Sequence, residues 1–332
     1  MIRLFNHTWI ALLKVLVRIL PGSARGWHAL ARSYTRAIAD SQADLAYRQA
    51  IRIYEAPTCA NDARLAHCLV ERAHGLMRQE RPNQAATLYL RALCLTPHDS
   101  DVSFALANSL FAVGNYSSAQ RFYKTALTLR PNHHRAWFNL GHTLKAKDAL
   151  GDAVHCFERA IMLNTRFVKA RFMRAYVLSL LCRHKEAIAE YERTLRISPR
   201  YVKAHFNLGN CHLEYGQYVR AIRCYETALK IDPTYDKAWF ALGQAARRVQ
   251  NLSLAREAYA KALSLRPDMY QCRLQLARLL ETLGDRANAA LHYRVYLQDA
   301  PESDTRSAVH STLQEFLSAY RASKNVRHER RS

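Results

Sequence analysis

The chain has 332 residues, with 49 Lys and Arg against 27 Asp and Glu, a formal net charge of +22. That excess calls for acidic company, whether a protein segment, an anionic membrane or a nucleic acid. Apolar residues make up 49%, which suits a folded chain and excludes a disordered one, and no Pro/Ser-rich linker interrupts it.

Residues 1–22 form the first predicted element, an amphipathic helix ended by Pro21-Gly22. From Met1 to Ala39 there is no acidic residue. Arg3, His7, Lys14 and Arg18 fall on one stripe at near-heptad spacing, and the remaining positions are mostly apolar. Lys14 and Arg18 interrupt the run that a transmembrane helix or a secretory signal needs. An interfacial helix fits best, with Arg3, Trp9, Lys14 and Arg18 as candidate membrane contacts. The alternatives are a cap packed on the next element and an organelle-targeting segment, which shares the acid-poor composition.

A period of 34 residues governs the rest of the chain. Proline recurs at 97, 131, 199, 233, 267 and 301, with Thr165 in the vacant slot. Alanine recurs without a gap from Ala85 through Ala153 and Ala221 to Ala289, and an aromatic ring stands four residues after it, from Tyr89 to Tyr293. Such self-similarity means stacked units, none able to bury its apolar face alone. Residues 24–57 carry a degenerate unit, with Trp27, Tyr34, Ala43 and Tyr47 at repeat spacing. Residues 58–65 are extra and predict a longer inter-repeat turn; residues 66–303 hold seven units. Val309, Leu313 and Phe316 then predict a capping helix over 304–322, and 323–332 reads as a disordered basic tail.

Within one unit the chain reads His134-Arg-Ala-Trp137-Phe-Asn-Leu140-Gly141, then Ala153, Phe157 and Ala160. Another reads Asp236-Lys-Ala-Trp239-Phe-Ala-Leu242-Gly243, then Ala255, Tyr259, Ala262 and Pro267. These residues resemble the tetratricopeptide repeat. The resemblance implies an all-α, right-handed superhelical solenoid of antiparallel helix pairs, about eight units long. The small residue allows close helix approach, the ring is expected to fill the gap to the next unit, and proline stops the second helix.

The resemblance also implies a concave groove lined by the first helix of each unit. At one groove position stand Phe104, Phe138, Phe172, Phe206 and Phe240; three residues earlier stand Arg135, Lys169, Lys203 and Lys237. Asn108, Asn139, Asn207 and Asn210 add hydrogen-bonding groups. Aromatics in a groove anchor a partner at low rotamer cost, and the basic row selects for acid. Asn108, Asn139 and Lys169 match three positions of the carboxylate clamp that some members use for acidic tails. Phe104 and Met173 replace its first lysine and its arginine, so the bidentate fork is missing.

No phosphate loop, metalloprotease motif or nucleophile elbow is present. The eight cysteines contain no C-x-x-C pair and read as small buried apolar residues. No catalytic residue, metal or cofactor is expected. The chain thus reads as a non-enzymatic scaffold or adaptor that holds an acidic-apolar segment of a protein partner, cytoplasmic and peripheral on a membrane surface. An RNA-associated helical-repeat protein is the second reading, weakened because no base-reading code recurs at fixed positions.

Overall fold

A computed structural model describes the backbone of residues 2–56, 61–302 and 304–329, and the side chains of 9–56, 61–302, 305–316 and 318. Among the described residues there are eighteen α-helices and no strand. The chain divides into two compact units, residues 1–170 and 171–332.

The first unit begins with α1 (Ile2–Ile19) and continues with α2 (Ala24–Arg36), α3 (Asp40–Tyr54), α4 (Asp62–Arg78) and α5 (Pro82–Leu95). It goes on through α6 (Ser100–Ala112), α7 (Tyr116–Leu129), α8 (His134–Ala146) and α9 (Leu150–Leu163). The division falls inside α10 (Val168–Leu180). The second unit continues with α11 (His184–Ile197), α12 (Val202–Glu214), α13 (Tyr218–Ile231) and α14 (Asp236–Arg248). It ends with α15 (Leu252–Leu265), α16 (Tyr270–Thr282), α17 (Arg286–Asp299) and α18 (Asp304–Glu329). Neighbours in sequence pack on one another, so each unit is a helical-repeat solenoid.

The seven-alanine row, Ala85 to Ala289, is wholly buried, and so are the rings from Tyr89 to Tyr259. Some of the rings also close their own helix pair. A Cβ added to Gly209 would lie 2.5 Å from Cε1 of Tyr225, and one added to Gly243 would lie 2.5 Å from Cε1 of Tyr259. In these units a missing Cβ lets the flat ring close the antiparallel pair, while Ala73, Ala107, Ala175 and Ala277 hold the glycine's place in the others. Tyr123 and Tyr191 also reach Asn139 and Asn207 on the next first helix, so a ring serves both its own pair and the gap to the next.

Each first helix ends the same way. Its closing residue is left-handed at Ile38, Glu80, Gly114, Asp148, Cys182, Gly216, Gln250 and Gly284, with φ between 56° and 85°. The next amide then donates five residues back, as Arg183 N–H does to Leu178 O at 3.0 Å and Gln217 N–H to His212 O at 2.7 Å. This is a Schellman closure, which turns the chain sharply into the second helix.

Two boundaries differ from the sequence reading. The extra residues expected as a turn over 58–65 are partly helical: α4 starts at Asp62, because Asn61 caps it by accepting the Arg64 N–H at 3.0 Å. Residues 57–60 lie outside the described residues. The capping helix expected over 304–322 runs on to Glu329, so 323–329 is helix and not coil. No Gly or Pro interrupts it there. The last three positions of the expected tail, 330–332, lie outside the described residues. No described helix is long and apolar enough to cross a membrane.

Candidate functional site

The five groove phenylalanines are all half-buried, and each leans on the ring of its own second helix. Four of them also meet a second ring that the sequence reading missed. In the first unit Phe104 stacks on His133 with centroids 4.6 Å apart, and Phe138 on Phe167 at 4.9 Å. In the second unit Phe172 meets Tyr201 and Phe206 meets Tyr235, both at 5.0 Å. His133, Phe167, Tyr201 and Tyr235 are themselves 34 residues apart, just before the first helices. Their period was legible; their direction was not. The rings thus form pairs, one edge holding helices together and the other open to solvent.

Arg135, Lys169, Lys203 and Lys237 are exposed, and none is paired with a carboxylate among the described residues. Asp101, one repeat before Arg135, and Asp236, next to Lys237, are occupied elsewhere. Asp101 accepts both guanidinium nitrogens of Arg130 at 2.8 and 3.0 Å, and Asp236 accepts from Arg266 at 2.8 Å. The positive row therefore keeps its charge.

The asparagines behave differently from the expectation of open recognition groups. Asn108 Oδ1 accepts from the buried Tyr123 hydroxyl at 2.6 Å and from Asn139 Nδ2 at 2.7 Å. Asn210 Oδ1 accepts from Tyr225 at 2.8 Å. A buried phenol must find an acceptor, so these side chains are committed to holding helices in register. Asn207 is half-buried.

Two hollows open along the first helices. In the first unit one of about 340 Å³ is lined by Val70, His74, His67 and Val102, where Val70 stands in place of a phenylalanine. In the second unit one of about 920 Å³ is lined by Gln244, Arg247, Gln275 and Tyr218, and is polar. Burial pulls the His142 pKa down to about 4, aided by the Lys145 charge, so this neighbour of Phe138 is a neutral, aromatic-packed ring at neutral pH.

One set of potential metal donors came together that spacing alone did not reveal. His28 Nε2 lies 2.6 Å from Glu71 Oε2, and His67 Nε2 lies 3.5 Å from Glu71 Oε1. Arg32 Nε is 3.2 Å from the same carboxylate and supplies the positive charge a cation would bring. Burial works against ionising Glu71, but the His28 hydrogen bond and the His28, Arg32 and His67 charges outweigh it and hold its pKa below the ordinary value. The cluster reads as an ion-pair tie between α2 and α4. A second tie lies at Glu190, almost wholly buried, which accepts from Arg171 and Arg174 at 2.8 Å and from Arg193 at 3.1 Å. Burial pushes the Cys68, Cys156, Cys211 and Cys272 thiols up to about 12, whereas Cys94 and Cys182 are exposed and so are not the buried apolar residues the sequence suggested.

The candidate membrane contacts are on α1. Trp9, Lys14 and Arg18 are exposed, and Arg3 lies outside the described side chains. Ile10, Leu13 and Val17 are buried against α2, so α1 also caps the repeat after it.

Comparison with known proteins agrees with this geometry. Tetratricopeptide-repeat profiles match residues 76–140, 134–166, 202–235 and 236–269. No curated protein matches the chain. The C-terminal part of a TPR repeat-containing protein from Cytophaga hutchinsonii is similar at TM-score 0.63 and 14% identity, over 72% of this chain and 98% of that one. YrrB, described as a TPR protein with an unusual peptide-binding site, is similar at TM-score 0.50 and 24% identity, over 56% of this chain and 96% of its own. At these identities the likeness is one of fold.

Proposed function

Because the chain belongs to the tetratricopeptide-repeat family, we propose that it is a non-catalytic interaction scaffold that holds an acidic-apolar segment of a protein partner along its first helices, close to an anionic membrane surface. One observation carries the choice of partner: exposed, unpaired Lys169, Lys203 and Lys237 stand three residues before half-buried Phe172, Phe206 and Phe240. A segment with only acids would leave the rings wet, and one with only apolar groups would leave the cations unanswered. The peptide-binding site described for YrrB is in keeping with this use of the fold.

Packed helices lie ~8–10 Å apart, and an extended chain advances ~3.3 Å per residue. Acidic side chains every three to four residues therefore match successive units. Exposed ion pairs contribute only ~0.2–1 kcal/mol each, so the rings dominate affinity while the lysines set preference and salt sensitivity.

The test uses synthetic peptides with Glu at every third or fourth position and Leu or Phe between, against a scrambled control and a single-stranded RNA of equal charge. Binding of the patterned peptide, weakened by Lys169→Glu/Lys203→Glu/Lys237→Glu mainly at low salt and by Phe206→Ala at all salts, is the expected result. Equal binding of the scrambled peptide, or tighter binding of the RNA, moves the function elsewhere.

A further inference from the structure

Helix α1 carries an apolar face that the repeats leave uncovered, and its register shows what kind of helix it is. Pro131 O accepts the indole N–H of Trp137 at 2.9 Å; Pro21 O accepts that of Trp27 at 3.0 Å, with the same six-residue spacing. Thus α1 stands before α2 as α7 stands before α8, in the place of a repeat's second helix. Counting back from the proline aligns Trp9, Leu13, Leu16 and Val17 with Ala119, Tyr123, Ala126 and Leu127. Leu13 and Val17 are buried like Tyr123 and Leu127. Trp9 and Leu16 are 55% and 40% exposed, whereas both alanines are wholly buried.

In the complete units the first of these places, from Ala85 to Ala289, is always a wholly buried alanine, small enough to let packed backbones close. The second is alanine in five units but Thr194 and buried Tyr296 in two, so only the first place is strict. Trp9 at that strict place holds an incoming helix away, which speaks against the open face as a seat for a first helix. It is also too broad for one helix seam. At ~100° per residue the exposed Val15, Ile19, Leu12, Leu16, Trp9 and Leu20 cover an arc of about 140°. Exposed Lys14 and Arg18 lie on the opposite side, within a stretch, residues 1–39, of six basic residues and no acid.

We infer that the open face of α1 is a lipid-contacting surface, which lays the helix in the plane of an anionic bilayer while its third face, Ile10, Leu13 and Val17, grips α2. The apolar arc enters the acyl boundary, and the basic side chains reach anionic headgroups. A rigid helix so held would fix the first repeats against the membrane. The inference rests on the membrane-proximal part of the proposed function and is independent of the groove.

Vesicle flotation of the full chain tests it, with phosphatidylcholine vesicles and with vesicles containing phosphatidylglycerol. Leu12 and Leu16 are exposed, so Leu12→Glu/Leu16→Glu leaves the α2 contact intact. The parent is expected to float with the anionic vesicles and the variant to lose more than about tenfold in partitioning. Brominated acyl chains should quench a component of the fluorescence that Trp9→Phe removes. Equal flotation of parent and variant would overturn the assignment of this face while leaving membrane proximity standing. A parent that does not float overturns both, and peptide binding in the groove is read separately. A vesicle-free dimer that the double variant disperses would assign the face to a second copy and overturn the lipid.

Discussion

The indole N–H of Trp239 donates to the carbonyl oxygen of Pro233 across 2.9 Å. The same acceptor is used at the same spacing by Trp137, by His205 Nε2 at 2.8 Å from Pro199 O, and by Arg273 at 2.6 Å from Pro267 O. Proline thus does more than stop the preceding helix: its exposed carbonyl becomes the anchor that fixes the entry of the next. Trp, His and Arg share only a long side chain with an N–H near its end, which explains why that slot varies. Trp239→Phe keeps the ring and loses the donor, and should cost about 0.5–1.5 kcal/mol in chemical denaturation. An unchanged midpoint would make the bond incidental.

The left-handed closing position offers a stabilising change. Cys182 and Gln250 sit at φ 56° and 59°, where Gly114, Gly216 and Gly284 sit without strain. Gln250→Gly should stabilise by about 1 kcal/mol, and Gly216→Ala should destabilise by a similar amount, since a Cβ at positive φ costs roughly 1–2 kcal/mol. Thermal melts of both variants, moving in opposite directions, check the point.

Glu190 occupies the slot that Cys156 and Cys224 hold in other units, and Arg171 occupies the slot of Trp137 and Trp239. One unit has therefore exchanged an apolar pair for a charged one, which works only if both change. Glu190→Ala takes the buried carboxylate from half-buried Arg171 and Arg174 and should cost less than the roughly 3–5 kcal/mol of a fully buried pair. Arg171→Trp/Glu190→Cys should recover part of that loss, the coupling being read from the double-mutant cycle. Additive single effects would show that the two positions are independent.

Acid should loosen the first unit through its buried imidazoles. His142 has its pKa lowered from 6.5 to about 4 by burial, so between those values the unfolded chain binds a proton that the folded chain refuses. Its neutral-form stability is complete above about pH 6.5 and is lost as pH falls toward 4. His133 is shifted the same way, also chiefly by burial, and adds to the slope. His142→Asn should therefore flatten, but not abolish, the fall in Tm across that window. An identical pH profile for the variant would remove His142 from the account.

The packing of α1 on α2 changes how its proposed membrane contact is dissected. Removing residues 1–22 strips three buried side chains, Ile10, Leu13 and Val17, from α2, each worth about 1.5–3 kcal/mol of burial. Truncation should lower the melting point of the first unit as well as any membrane affinity. Substitutions on the exposed arc separate the two effects.

Periodicity was enough to settle the architecture, because a 34-residue repeat in alanine, ring and proline has one economical packing: helix pairs that bury small residues against flat rings. It also set which residues share one register on successive first helices, since position in a repeat specifies position on a helix. Side-chain direction was beyond its reach. How closely Tyr225 lies over Gly209 depends on a close approach of two helices, which spacing does not encode. Asn108 and Asn139 look like recognition groups by repeat position alone, yet a buried Tyr123 hydroxyl, brought in by tertiary packing, claims the Asn108 oxygen. His28 and Glu71 meet at 2.6 Å although 43 residues separate them, because stacking sets α2 beside α4. The exposed face of α1 was decided the same way: an amphipathic pattern says that a helix has an apolar side, but only packing shows how much of that side α2 covers.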